Sequence, residues 1–155
     1  MFSKEEARVL RQEFWIKFSD YTNFFSLKKG VPVKWMLYKT GIKGLELKFD
    51  INKKDIKVIL EVNCKNSDRR FDIFVELDNY KKILEYGFAE NLIWEEDCNI
   101  NGHKAVSRIY VEMQDVKYYN KNNWVMIFEF MAENMFTLQS NLEEILPVLK
   151  EKFGK

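Results

Sequence analysis

The sequence is poor in the residues that usually announce chemistry. Its 155 residues include one histidine, His103, and two cysteines, Cys64 and Cys98, with no Cys-x-x-Cys pair. That shortage argues against a metal site built from neighbouring Cys and His ligands, and no cofactor is expected. Two cysteines fit small reduced core residues of a cytoplasmic protein. The six glycines (30, 41, 44, 87, 102, 154) never form G-x-G-x-x-G or a P-loop, so the common nucleotide-binding loops are missing. The longest unbroken apolar run is Trp124 to Phe128, far short of the ~20 residues a membrane helix requires. Met-Phe-Ser-Lys-Glu-Glu turns amphipathic at once, without the basic and apolar regions of a signal peptide. A cytoplasmic protein without membrane contact is expected. The formal net charge of +1 gives no whole-protein clue to a partner.

Aromatic residues are what the chain has in quantity: 13 Phe, 7 Tyr and 4 Trp, within a hydrophobic fraction of 46%. A chain of this size can bury a core without disulfides or metals, and a single domain over 1–155 is expected. Ser3 and Glu6 have capping-box spacing, and Leu10, Phe14, Phe18, Tyr21 and Phe25 then form one helical face. Lys28, Lys29, Gly30 and Pro32 end that helix. Val33 to Gly44 suggests a short strand feeding a turn. Alternation at Leu45, Leu47, Phe49 and Ile51, then at Ile56, Val58, Leu60, Val62 and Cys64, predicts a β-hairpin with Ile51 opposite Ile56. A second helix, capped by Ser67 or Asp68, carries Ile73, Leu77, Tyr80 and Leu84 and ends near Gly87. Strands over Leu92–Asp97 and Lys104–Met113 join across Asn101-Gly102. A helical stripe from Trp124 to Leu149 closes the chain, with Pro147 expected to kink it or split off a last short helix. The order α-β-β-α-β-β-α defines an α+β fold, an antiparallel sheet with helices mainly on one face.

Several blocks have a familiar combination. They are Phe14-Trp15, Lys34-Trp35-x-x-Tyr38-x-Thr40-Gly41-Ile42-Lys43, Gly102 to Val111, Asn120 to Trp124, and Phe128 to Met135. In this order the chain resembles the small bacterial domain-of-unknown-function family DUF4268 over nearly its whole length. The resemblance carries over no activity and no functional residues. It implies a nucleic-acid context at most, because related domains occur fused behind nuclease-like domains.

The first candidate site is the segment 28–57, which holds nine lysines against three acids, a net +6. Lys34, Lys43, Lys53, Lys54 and Lys57 would neutralise phosphates while Trp35 and Tyr38 stack on unpaired bases. The bland alternative is a solvated hairpin in a lysine-biased protein, with 20 Lys to 5 Arg, and a buried tryptophan. The second candidate lies on the wet face of the first hairpin, where Glu46 faces Glu61 and Asp50 faces Lys57. A nearby cation must relieve the facing carboxylates, either Lys48 or a divalent metal. Asp50, Glu61 and Lys65 faintly resemble a metal-dependent nuclease site, although Asn63 stands where Glu-x-Lys spacing wants lysine. The third candidate is Arg108 with Tyr110, an anion clamp unless Arg108 pairs with an acidic neighbour such as Glu112 or Glu96. His103 follows the Asn-Gly turn with no nucleophile at an informative distance, so no catalytic role is expected for it.

Two features bear on partners. The apolar arcs of the first and last helices are wide, which suggests a second surface buried in a homodimer. Residues 1–70 carry a net +7 and residues 71–155 a net −6, which hints at a basic surface for a polyanion or at complementary faces. Three readings follow: a non-catalytic binding or interaction domain that self-associates, an accessory nucleic-acid-binding protein, or, more remotely, a metal-dependent nuclease.

Overall fold

A computed structural model describes residues 2–102 and 104–154, without the side chain of Leu37; His103 lies outside the described residues. Helix α1 spans Lys4–Lys29, and Ser3 and Glu6 form the capping box that starts it. Gly30, at φ 76°, ends it in the left-handed conformation that glycine adopts without Cβ strain. The next segment is not a strand. Trp35–Leu37 forms one short 3-10 turn, because Trp35 is drawn into the core beside Phe18 and Phe25 instead of alternating across a sheet.

Strands β1 (Leu45–Ile51) and β2 (Asp55–Val62) pair with Ile51 opposite Ile56, Asp50 opposite Lys57 and Glu46 opposite Glu61. Period-two alternation sets this register, because a slip of one residue would turn every core side chain to solvent. Helix α2 (Ser67–Asn79) is capped one residue earlier than the spacing suggested: the Asn66 side chain accepts from the Arg69 N–H at 2.9 Å. The apolar stripe then breaks at Tyr80, and Lys81–Leu84 forms a separate single turn, α3. Asn141, buried on the last helix, donates to the carbonyls of Leu84 and Tyr86 and ties down the end of α3.

Strands β3 (Ile93–Ile100) and β4 (Lys104–Gln114) pair from Ile100 opposite Lys104, and Asn101 and Gly102 between them take positive φ, which these two residue types adopt most readily. The sheet order is β1-β2-β4-β3, antiparallel throughout. The β3–β4 register is irregular between Glu95 and Cys98. Arg70 fills that gap from α2, donating to the Glu96 carbonyl at 2.7 Å, the Ser107 hydroxyl at 2.9 Å and the Asp97 carboxylate at 2.9 Å.

Helix α4 (Trp124–Phe153) follows a short 3-10 turn over Lys121–Asn123 and runs unbroken through Pro147. Proline removes one helical hydrogen bond, yet Leu142, Ile145, Leu146 and Leu149 stay buried around it and keep both sides of the helix on the core. Ile56, Val58, Leu60 and Val62 of β2 form the buried face beneath the helices. Among the described residues no helix is long and apolar enough to cross a membrane.

Gly44, at φ +89°, precedes β1, and a Cβ there would lie 2.4 Å from Cys64 Sγ. Gly44→Ala should lower stability by about 1–3 kcal/mol through backbone strain, with the clash adding to it. Gly30→Ala, also at positive φ but with open space around it, should cost less. Urea unfolding midpoints of the two variants check the order.

Candidate functional site

The face of the sheet turned away from the helices carries a closed polar network. Its centre is Glu61 on β2, 1% exposed. Lys48 donates to Oε2 at 2.7 Å and Asn63 to the same oxygen at 2.8 Å, while Arg108 Nε donates to Oε1 at 3.0 Å. Asn63 also donates to Glu46, so one amide bridges the two carboxylates that face each other across the hairpin. Arg108 extends to Asp50 at 3.5 Å. Tyr110 donates its hydroxyl to Glu95, and Lys57 pairs with Asp55 and Glu112 while lying over the Tyr110 ring.

This geometry decides two expectations. Arg108 does pair with acidic neighbours, and these are Glu61 and Asp50 in place of Glu112 or Glu96, because the β2–β4 register sets it opposite Glu61. Asp50, Glu61 and Lys65 do not converge as a nuclease site. Asp50 is in register with Lys57, four residues before Glu61, while Lys65 lies beyond the end of β2. Both Glu61 oxygens are already engaged, and no group of three or more Asp, Glu, Cys or His side chains among the described residues is placed to hold a metal. Lys48 and Arg108 supply the positive charge that the facing carboxylates require.

The lysine-rich segment is likewise dispersed. Trp35 is 6% exposed and packs on Phe18, Phe25 and Phe49, so it offers no platform for a base. The half-buried Tyr38 hydroxyl donates to Glu143 at 3.4 Å, and burial followed by the Glu143 charge pushes it up to about 12. Lys53 and Lys54 sit in the β1–β2 turn, at the opposite end of the sheet from Lys43. Lys34 borders a groove between Trp15, Trp35 and Met36. Lys57, Arg108 and Tyr110 are held in the sheet-face network described above.

Only Lys43 of these belongs to a new grouping. The start of β1, the end of β2 and the start of β4 meet at one end of the sheet, where Leu45 pairs with Val62 and Val62 with Ser107. There Lys43, Lys65, Arg69 and Lys104 line a concavity of about 460 Å³ with Asn63, Cys64 and Asn66. Its wall contains no carboxylate, and none of the four cations forms an ion pair among the described residues. Arg69 is fixed there by donating to the carbonyls of Phe153 at 2.9 Å and Lys43 at 3.3 Å. Lys65, Arg69 and Lys104 were not in the basic segment singled out above. Asn66 as the helix cap and the Asn101-Gly102 hairpin are the local signals that would have placed Arg69 and Lys104 near strand ends.

Fold and site together define a small α+β domain: an antiparallel sheet with helices on one face, a closed polar network on the other and a basic pocket at one end. Residues 10–146 match the family described as a domain of unknown function, DUF4268, and the chain belongs to that family. No curated protein and no solved structure matches it.

Burial raises the Glu61 carboxyl, but the bonds from Lys48, Asn63 and Arg108 outweigh it and hold the group below its usual 4.5. A depressed carboxylate contributes stability that is complete above its unfolded-state value and lost as pH falls through the folded-state value. Acidification through and below 4.5 should therefore lower the urea midpoint more steeply in the wild type than in Glu61→Gln. Parallel curves would refute this. Glu61→Ala, which strands Lys48 and Arg108, should cost about 3–5 kcal/mol.

Proposed function

We propose that this cytoplasmic bacterial domain works by binding and not by catalysis, and that its ligand is a phosphate group of a nucleic acid. The observation that carries this reading is the pocket of Lys43, Lys65, Arg69 and Lys104 without a carboxylate in its wall. Elsewhere Lys29, Lys48, Lys57, Arg70, Arg108, Lys121 and Lys152 are matched to acidic side chains. Cations left together without counter-charge repel one another, and an incoming polyanion relieves that repulsion while releasing its own counterions.

A labelled oligonucleotide should bind in low salt, measured by fluorescence anisotropy. Its log affinity should fall linearly with log salt, as counterion release requires. The triple change Lys43→Glu, Lys65→Glu, Lys104→Glu should abolish binding. Lys53→Glu with Lys54→Glu, at the other end of the sheet, should leave most of it. No binding in low salt, or equal loss in both variants, would overturn the assignment.

The outer face of α1 supports a second reading, self-association. Val9, Ile16, Phe24 and Leu27 are 48%, 62%, 59% and 84% exposed, and three of them, Val9, Ile16 and Leu27, share one narrow stripe. Two copies of α1 packed antiparallel would set Val9 against Leu27 and bring Lys17 near Asp20, a self-complementary match suited to a two-fold dimer. Light scattering at high protein concentration should give twice the chain mass, and Ile16→Glu with Leu27→Glu should give the monomer. A monomeric wild type refutes the dimer.

A further inference from the structure

We infer that the basic pocket takes a terminal phosphate, the phosphomonoester at the end of a nucleic-acid strand, in preference to an internal phosphodiester; this rests on the nucleic-acid reading above. The cations are not strung along a groove that could track a continuing backbone. They come from four separate segments, the loop before β1, the chain just past β2, helix α2 and the start of β4, and they surround one concavity of about 460 Å³. A backbone phosphodiester must pass through its site and leave at both sides, whereas a chain end has only one exit and fits a recess.

Charge points the same way. A phosphomonoester carries about −1.5 to −2 near neutral pH and three strong acceptor oxygens, against a single charge on an internal diester. Four cations that form no ion pair among the described residues are more fully balanced by the former. Arg69 is the one member fixed in place, by its bonds to the carbonyls of Lys43 and Phe153, and its guanidinium stands over the Phe153 ring at 5.8 Å. Lys43, Lys65 and Lys104 are exposed and free to close around a ligand. Among the described residues the wall holds no aromatic ring to stack on a base, so recognition is by charge.

The test uses three internally labelled oligonucleotides of one sequence, carrying a 5′-phosphate, a 3′-phosphate or hydroxyls at both ends, titrated with the full chain and read by anisotropy. At least one phosphorylated end should bind about tenfold tighter than the hydroxyl form. That advantage should shrink as pH falls below about 6, where the second proton returns to the phosphate. Inorganic phosphate should compete with the phosphorylated strand. Lys43→Gln with Lys65→Gln and Lys104→Gln should erase the difference between the strands, with an unchanged thermal midpoint showing that the exposed lysines were not needed for folding. Equal affinity of all three oligonucleotides overturns the end-binding inference and leaves the broader polyanion reading standing. Absence of binding to any of them overturns both.

Discussion

The packing of strand β2 beneath helix α4 is the contact on which the rest of the structure depends. β2 is hydrogen-bonded on both sides, to β1 and β4, and Ile56, Val58, Leu60 and Val62 are completely buried on its inner face. Above them Met131, Met135, Leu138 and Leu142 of α4 are 0–1% exposed. Each such aliphatic side chain contributes about 1.5–3 kcal/mol on leaving water, so this double row outweighs the helical hydrogen bond lost at Pro147. Helix α1 joins the layer through its aromatic face, where Phe14 and Phe18 meet Trp124 and Phe128. Helix α2 joins it through Ile73 and Leu77.

Antiparallel sheets commonly leave one face in water, but the outer face of β2 is covered by its neighbours' side chains. Ile59 is completely buried there, between Lys48 and Tyr110 in register, and Glu61 is nearly so. A charge held at such a position must be paired or it costs several kcal/mol. Lys48, Asn63 and Arg108 meet that demand from three different places on two neighbouring strands and the end of β2 itself. The network thus answers the burial of Glu61, and this explains why Glu61, a residue with a catalytic look, has both carboxylate oxygens engaged.

The electrical division of the chain, +7 in residues 1–70 and −6 in residues 71–155, has a related use. Lys29–Glu133, Lys57–Glu112, Arg70–Asp97, Asp50–Arg108, Glu61–Arg108 and Glu13–Lys121 each join the two halves. Three of these pairs join cations of the first half to acids of the second and three run the opposite way, so they stitch the halves together and leave the basic excess in place. Lys43, Lys65 and Arg69 of the first half and Lys104 of the second form no ion pair among the described residues and line one pocket.

Local chemistry determined much by itself. The Ser3–Glu6 capping box, the Gly30 stop, the Asn101-Gly102 turn and the register of the first hairpin all rest on residues within a few positions of one another or on period-two alternation, which any tertiary arrangement must respect. The α+β order and family membership followed from the same short-range patterns and their sequence of blocks. Trp35 could not be assigned in this way, because whether an aromatic among lysines faces a base or the core depends on Phe18, Phe25 and Phe49 arriving from elsewhere. Nor could the basic pocket. Lys65 and Lys104 are far apart along the chain and meet only because β2 pairs with β4 and not with β3. Strand order is decided by which apolar faces bury best together, a property of the whole core, and so the tertiary structure alone chose which of the many lysines were brought into one pocket.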